Sequence, residues 1–190
     1  MKRVAIATLL ALLPASAIGA PATYTVNKDH TDVVFEIDHV GFSMKHGWFR
    51  DIAGTLTLDE ARPEASKVDI TIKAASIDTN HEQRDKDLTG AQFLDVAKFP
   101  EMRFVSTKVT KTGANTADIE GSLTLHGVTK PLILHAKLNK LGPNPFDQTP
   151  TAGFTATGSL KRSDFGISTF VGPIGDEVAI TIDAEFAGKK

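Results

Sequence analysis

The chain has 190 residues, 41% of them hydrophobic, with no cysteine and a formal charge of −2 at pH 7. The missing cysteine excludes thiol catalysis, cysteine metal sites and disulfide exchange. The charge balance gives neither the basic footprint of a nucleic-acid binder nor a polybasic stripe for anionic lipid surfaces.

Lys2 and Arg3 precede an uncharged apolar run, Val4 to Leu13, and small residues follow from Ala15 to Ala22. This is the three-part pattern of a cleavable export signal. The run is too short for a transmembrane helix, which takes about 20 apolar residues. A-x-A sites occur at Ala15-Ser16-Ala17 and Ala20-Pro21-Ala22. The cut is expected after Ala22, because a cut after Ala20 would leave Pro21 at the new N-terminus. Residues 1–22 are read as the signal and 23–190 as a single mature domain. Cleavage leaves 19 basic against 23 acidic side chains, a formal charge of −4. No cysteine is present for lipid modification, and no later segment is apolar enough to span a membrane. A chain of this length can bury a core without disulfides.

Beyond the signal, apolar and polar residues alternate with period 2. The pattern runs through Phe35 to His39, Ile52 to Leu58, Val68 to Ala74 and Met102 to Ser106. It resumes at Ile119 to Leu125, Leu132 to Leu138, Phe154 to Leu160 and Val178 to Phe186. These eight strands each have one apolar face, the signature of an antiparallel sheet packed on one side. Eight such strands can close into a barrel, which removes exposed edges. Short Gly- and Pro-containing turns join neighbouring strands, including the stiff loop from Gly142 to Pro150.

Three segments break the alternation. Val40 to Phe49 carries two glycines and several large apolar residues, and reads as a bend or bulge between strands one and two. Asp78 to Glu101, between strands three and four, reads as one or two short helices. Asn80 is the expected N-cap, with Gln83 at the third position of a capping box. An insertion this long in a compact β domain reads as a lid or binding element. Arg162 to Ile174 is the third segment.

Inward parity assigns Phe35, Ile37, Phe104, Leu123, Leu125 and Phe154 to the interior. Phe93, Leu94 and Phe99 can close it from the helical insertion. Phe42, Trp48 and Phe49 from the bend, and Phe165 and Phe170 from the third segment, complete an apolar candidate set. An eight-stranded barrel is either filled by side chains or holds one ligand. Gly121 and Gly158 on inward parity leave space or mark bends. Arg84, a planar multi-donor group, is the candidate for a phosphate or quinone oxygen, oriented by Asn80 and Asp85; the alternative is an Arg84–Asp85 surface pair with a capping Asn. His39, His46, His81 and His126 show no zinc spacing, so no metal and no cofactor is expected. His135 has outward parity and is expected in solvent. Ser43 is in no nucleophile elbow, and no carboxylate pair is identified by spacing, so no catalytic residue is assigned.

Six motifs appear in order: His39-Val-Gly-Phe-Ser43; Gly47-Trp-Phe49; Ser76-Ile-Asp-Thr-Asn80 with Arg84-Asp85; Phe93-Leu-Asp-Val-Ala-Lys-Phe-Pro100; Gly121-Ser-Leu-Thr-Leu-His-Gly-Val-Thr-Lys-Pro131; and Arg162-Ser-Asp-Phe-Gly166. Together, from Tyr24 to about Phe186, the chain resembles the YceI-like family of bacterial lipocalin-like proteins. The resemblance implies an eight-stranded lipocalin-like barrel with a long apolar pore, binding of polyisoprenoid or similar lipids, a periplasmic address and no general catalytic activity. The family commonly places a His where this chain has Asp87. The expected function is therefore a periplasmic carrier for a long isoprenoid lipid or isoprenoid quinone. The alternatives are stress-protective sequestration of fatty acids or other amphipathic toxins, and a lipid-active enzyme using His39 or His81 with a carboxylate. A homodimer stands beside a monomer as an open alternative.

Overall fold

The computed structural model describes residues 20–189, and most of the segment expected to be an export signal lies outside them. Eleven strand segments and one α-helix follow one another: β1 (Ala22–Val26), β2 (Asp32–His39), β3 (Ser43–Phe49), β4 (Ile52–Leu58), β5 (Lys67–Lys73), β6 (Ile77–Asp78), α1 (Glu82–Thr89), β7 (Glu101–Lys111), β8 (Thr116–Leu125), β9 (Val128–Pro143), β10 (Pro150–Lys161) and β11 (Ile174–Gly188). All pairings between these strands are antiparallel; besides sequence neighbours, β1 pairs with β4, β3 with β6 and β5 with β7, and the barrel closes where β11 pairs with both β1 and β2.

Three of the barrel's staves are interrupted strands. β1 and β2 share one edge of β11, separated by a 3₁₀ turn at Lys28–His30. β3 pairs with β2 while β4 pairs with β1, so these two also form one stave broken at Arg50 and Asp51. β5 and β6 repeat the arrangement against β4 and β3. The result is a closed eight-stranded barrel, which removes open sheet edges.

Where the sequence suggests a bend, β3 is a regular strand entered by a tight turn. Val40 and Gly41 both have positive φ, 61° and 70°, and the Phe42 N–H donates to the His39 carbonyl at 3.1 Å. The alternation is obscured because β3 buries Gly47 and Phe49 but turns Trp48 outward. Outside, the Arg50 guanidinium lies 5.1 Å from the Trp48 ring centroid. The helix cap also differs from expectation. His81 is the N-cap, its Nδ1 accepting from the Arg84 N–H at 3.2 Å. Asn80 precedes it with φ 55°, a left-handed conformation that Asn tolerates. Gln83 donates along the helix to Asp87 at 2.8 Å and takes no part in a capping box.

Antiparallel alternation collects the β2–β3 turn, the 79–100 insertion, the His126–Gly127 turn and the 162–173 loop at one end of the barrel. The opposite end is packed by a buried cluster of Tyr24, Leu56, Ala152 and Phe186. The Phe154 and Phe186 rings meet edge to face there, with centroids 6.1 Å apart.

Candidate functional site

A cavity of about 930 Å³ runs down the barrel axis. Its wall is built from the inward faces of the strands, and its rim from the loops gathered at one end. Phe35, Ile37, Phe49, Phe104, Leu123, Leu125 and Phe154 line the wall, and Phe93, Leu94 and Phe170 line it from the insertion and the 162–173 loop. The last two elements touch: the Phe93 and Phe170 rings are 6.4 Å apart, and the Thr169 hydroxyl donates to the Gln92 carbonyl at 2.6 Å. Val68, Ile70, Ile72, Ile180 and Ile182 also line the cavity; their parity in the sequence is the same as that of the aromatic residues.

Four apolar candidates lie off the cavity. Phe42 is 89% exposed at the tip of the β2–β3 turn, and Trp48 is on the outer face of β3. The Phe99 ring packs on His126, 4.6 Å between centroids, over Gly127 at φ 74°. Phe165 is buried within the packed core rather than against the lumen. His126 Nδ1 donates to its carbonyl at 3.0 Å, tying the two turns together. Gly121 and Gly158 leave no hole either. A Cβ at Gly121 would stand 2.3 Å from Phe104 Cζ, and one at Gly158 would stand 3.0 Å from the Ile133 carbonyl oxygen. Both sites accommodate a close neighbour.

The polar groups of the lining concentrate at the rim. Lys45, Arg84 and Lys86 are its cations beside the loop-bound Arg162, and Asp87 is its carboxylate. Arg84 is held by Thr79: Nε donates to Thr79 Oγ1 at 2.8 Å and Nη2 to the Thr79 carbonyl at 2.7 Å. Asp85 accepts from the Thr79 N–H at 2.8 Å and from its hydroxyl. Arg84 and Asp85 are thus joined through buried Thr79 rather than paired with each other. Asp85 supports this node from outside the cavity lining, while Asn80, also off the lining, donates its N–H to Asp78 at 2.9 Å. Lys45 and Lys86 carry no motif that would single them out in the sequence, and Thr79 lies in the Ser76–Asn80 motif without a signal for this role.

Arg162 fixes the 162–173 loop. It is 6% exposed and donates to four carbonyls: Gly175 at 2.8 Å, Ile167 at 3.0 Å, Thr169 at 2.7 Å and Ile174 at 3.3 Å. Burial pulls its pKa down from the ordinary value, opposed by the nearby Asp176 carboxylate. Ser163 donates its N–H and hydroxyl to Asp176 at 2.9 and 2.7 Å, and these bonds hold that carboxyl below its usual range.

An acid–base reading needs a His against a carboxylate inside the pocket. His46 Nε2 lies 2.9 Å from Glu36, but both side chains are more than 40% exposed. His135 pairs with Asp118 at 2.7 Å on the outer surface. Among the described residues no group of three or more His, Asp or Glu side chains is placed to hold a metal, and no helix is long and apolar enough to cross a membrane.

Comparison with known proteins agrees with this architecture. The YceI-like domain matches residues 24–186. Protein YceI of Salmonella arizonae is 46% identical over 185 residues, covering 96% of each chain. The crystal structure of the Campylobacter jejuni YCEI protein superposes with a TM-score of 0.72 at 33% identity, over 86% of this chain and 96% of that one. Two distant structures share the fold. Burkholderia cenocepacia BcnA has a TM-score of 0.77 at 21% identity, over 84% and 98% of the two chains. A polyisoprenoid binding domain from Saccharophagus degradans has a TM-score of 0.67 at 12% identity, over 90% and 100%. A match across nearly the whole barrel, together with close identity to Protein YceI, places this chain in the YceI-like family.

Proposed function

We propose that the protein is a periplasmic carrier for a long apolar lipid of isoprenoid type, a polyisoprenoid or an isoprenoid quinone. The observation that carries this reading is the cavity itself. It is apolar along its length, plugged at one end and polar at the other, the shape of a chain with one head group. Its size is at the upper end of small-molecule sites. Each buried CH₂ contributes about 0.8 kcal/mol, so a long chain binds tightly without specific contacts. Arg84, flanked by Lys45 and Lys86, receives the polar end. The distant Saccharophagus degradans structure, described as a polyisoprenoid binding domain, supports the choice of ligand. The export signal supports the periplasmic address.

Native mass spectrometry and organic extraction of the purified protein test this reading. A stoichiometric isoprenoid lipid, or uptake of added isoprenoid quinone by the emptied protein, is expected. No lipid recovered and none taken up would overturn it. The three rim cations also suit a fatty-acid carboxylate, and competition between oleate and the quinone ranks the two.

A further inference from the structure

Four of the seven exposed large apolar side chains among the described residues gather on two neighbouring loop tips. Val40 and Phe42 crown the β2–β3 turn, while Phe170 and Val171 crown the 162–173 loop. The tips are joined, because the Val40 N–H donates to the Pro173 carbonyl at 2.9 Å. Phe170 is both 63% exposed and part of the cavity lining, so one apolar surface continues from the lumen to the outside. Local backbone preference argues against these residues. Val40 and Phe170 have φ of 61° and 58°, a region that favours Gly, Asn or Asp. A β-branched or aromatic side chain there sets local strain against exposure to water.

We propose that this end of the barrel docks on a phospholipid bilayer, with the two tips inserted and the cavity entrance held against the lipid. The proposal rests on the reading of the cavity as a lipid site and names where cargo is exchanged. Two narrow, convex apolar tips suit insertion among acyl chains better than the broad, flat area a protein partner requires. Phe is among the residues whose side chains bury at the boundary of head groups and acyl chains. The chain has no polybasic stripe, so apolar insertion carries the attraction. The charge at this end is mixed: Lys45, Arg84 and Lys86 line the entrance with Asp87, and Asp38 stands beside the β2–β3 tip.

The test is flotation of the purified, exported protein with vesicles of phosphatidylethanolamine containing a minority of phosphatidylglycerol. V40N/F42S removes two tip residues outside the cavity lining and gives the turn a residue that suits its backbone. F146S removes a 95% exposed phenyl from the opposite end. The parent and F146S are expected to float with the vesicles, and V40N/F42S to partition about tenfold more weakly. Quinone uptake in solution is expected to be unchanged in V40N/F42S. A parent that does not float, or an F146S loss as large as that of V40N/F42S, overturns docking. Sedimentation velocity showing a dimer that V40N/F42S dissolves, without vesicle binding, reassigns the surface to a second copy and also overturns it. Flotation by a protein that holds no lipid would sink the cavity reading and leave docking standing.

Discussion

The phenyl ring of Phe35 occupies the place of a side chain at Gly47, its partner across the β2–β3 ladder. A Cβ there would stand 2.3 Å from Phe35 Cζ. Phe104 does the same over Gly121 of β8, also at 2.3 Å. In both cases a glycine on one strand lets a ring lie along the wall instead of crossing the lumen, and the cavity stays open. Gly47→Val should therefore push the Phe35 ring inward. An overpacked interior costs about 1–3 kcal/mol. Urea denaturation should show a lower midpoint at unchanged slope, and the lipid content of the purified variant should fall. F35A/G47V should recover lipid content. Unchanged stability and lipid content in Gly47→Val would show that the ring does not keep the lumen open.

Thr79 separates structure from binding at the rim. Thr79→Val removes the acceptor of Arg84 Nε and the hydroxyl donor to Asp85. With two buried bonds lost, stability should fall by about 1–3 kcal/mol. Arg84→Met should act chiefly on the ligand, weakening a phosphate-headed isoprenoid by about tenfold to a hundredfold, since a bond to a charged group contributes about 1.5–3 kcal/mol. A quinone should lose less. Equal losses for both ligands, read by fluorescence displacement, would assign Arg84 to the fold.

The barrel was legible because strands such as β5 alternate without interruption: Val68, Ile70 and Ile72 inward, Asp69 and Thr71 outward. The pattern failed at β3, where Gly47 is inward and Trp48 outward, so apolarity no longer reports the face. It failed again at Asn80, whose capping chemistry serves a left-handed turn one residue before the true cap. Parity placed Phe35 and Phe104 inside but could not separate a filled core from a hollow one. That depends on cross-strand register, which sets each ring over a glycine. Phe99 reads as closing the interior from the insertion and Phe165 as part of the apolar lining, yet the His126–Gly127 turn draws both into packing. Thr79 is legible as part of the Ser76–Asn80 motif, but its role as a buried node depends on its neighbours in space.

Arg162 should be the most costly surface-loop residue to replace. Arg162→Met leaves the Ile167, Thr169, Ile174 and Gly175 carbonyls without their donor. Replacing a buried charged donor costs about 3–5 kcal/mol when its partners are stranded. Hydrogen exchange should show the loss concentrated in residues 162–175. Loss spread evenly over the barrel would show that the loop and the barrel unfold as one unit.

Acid should unfold the protein through its capped carboxylates. Asp59, 1% exposed, accepts the Ala61 and Arg62 N–H groups at 3.1 and 2.9 Å and the Arg62 guanidinium at 3.0 Å. The Arg62 N–H is the largest cause holding its carboxyl below the usual range. Asp176 is held low by the Ser163 hydroxyl and N–H. A depressed folded-state pKa means that the unfolded chain binds protons first as pH falls. The stabilisation is complete above the unfolded carboxylate value of about 3.9 and is lost as pH drops through the folded values. Thermal midpoints should be level from neutrality to about pH 5 and fall steeply below about pH 4. Asp176→Asn meets two converging Ser163 donors with a single acceptor, so it should lower the neutral midpoint and flatten the acid limb. An acid limb as steep in D59N/D176N as in the parent would assign acid sensitivity to other carboxylates.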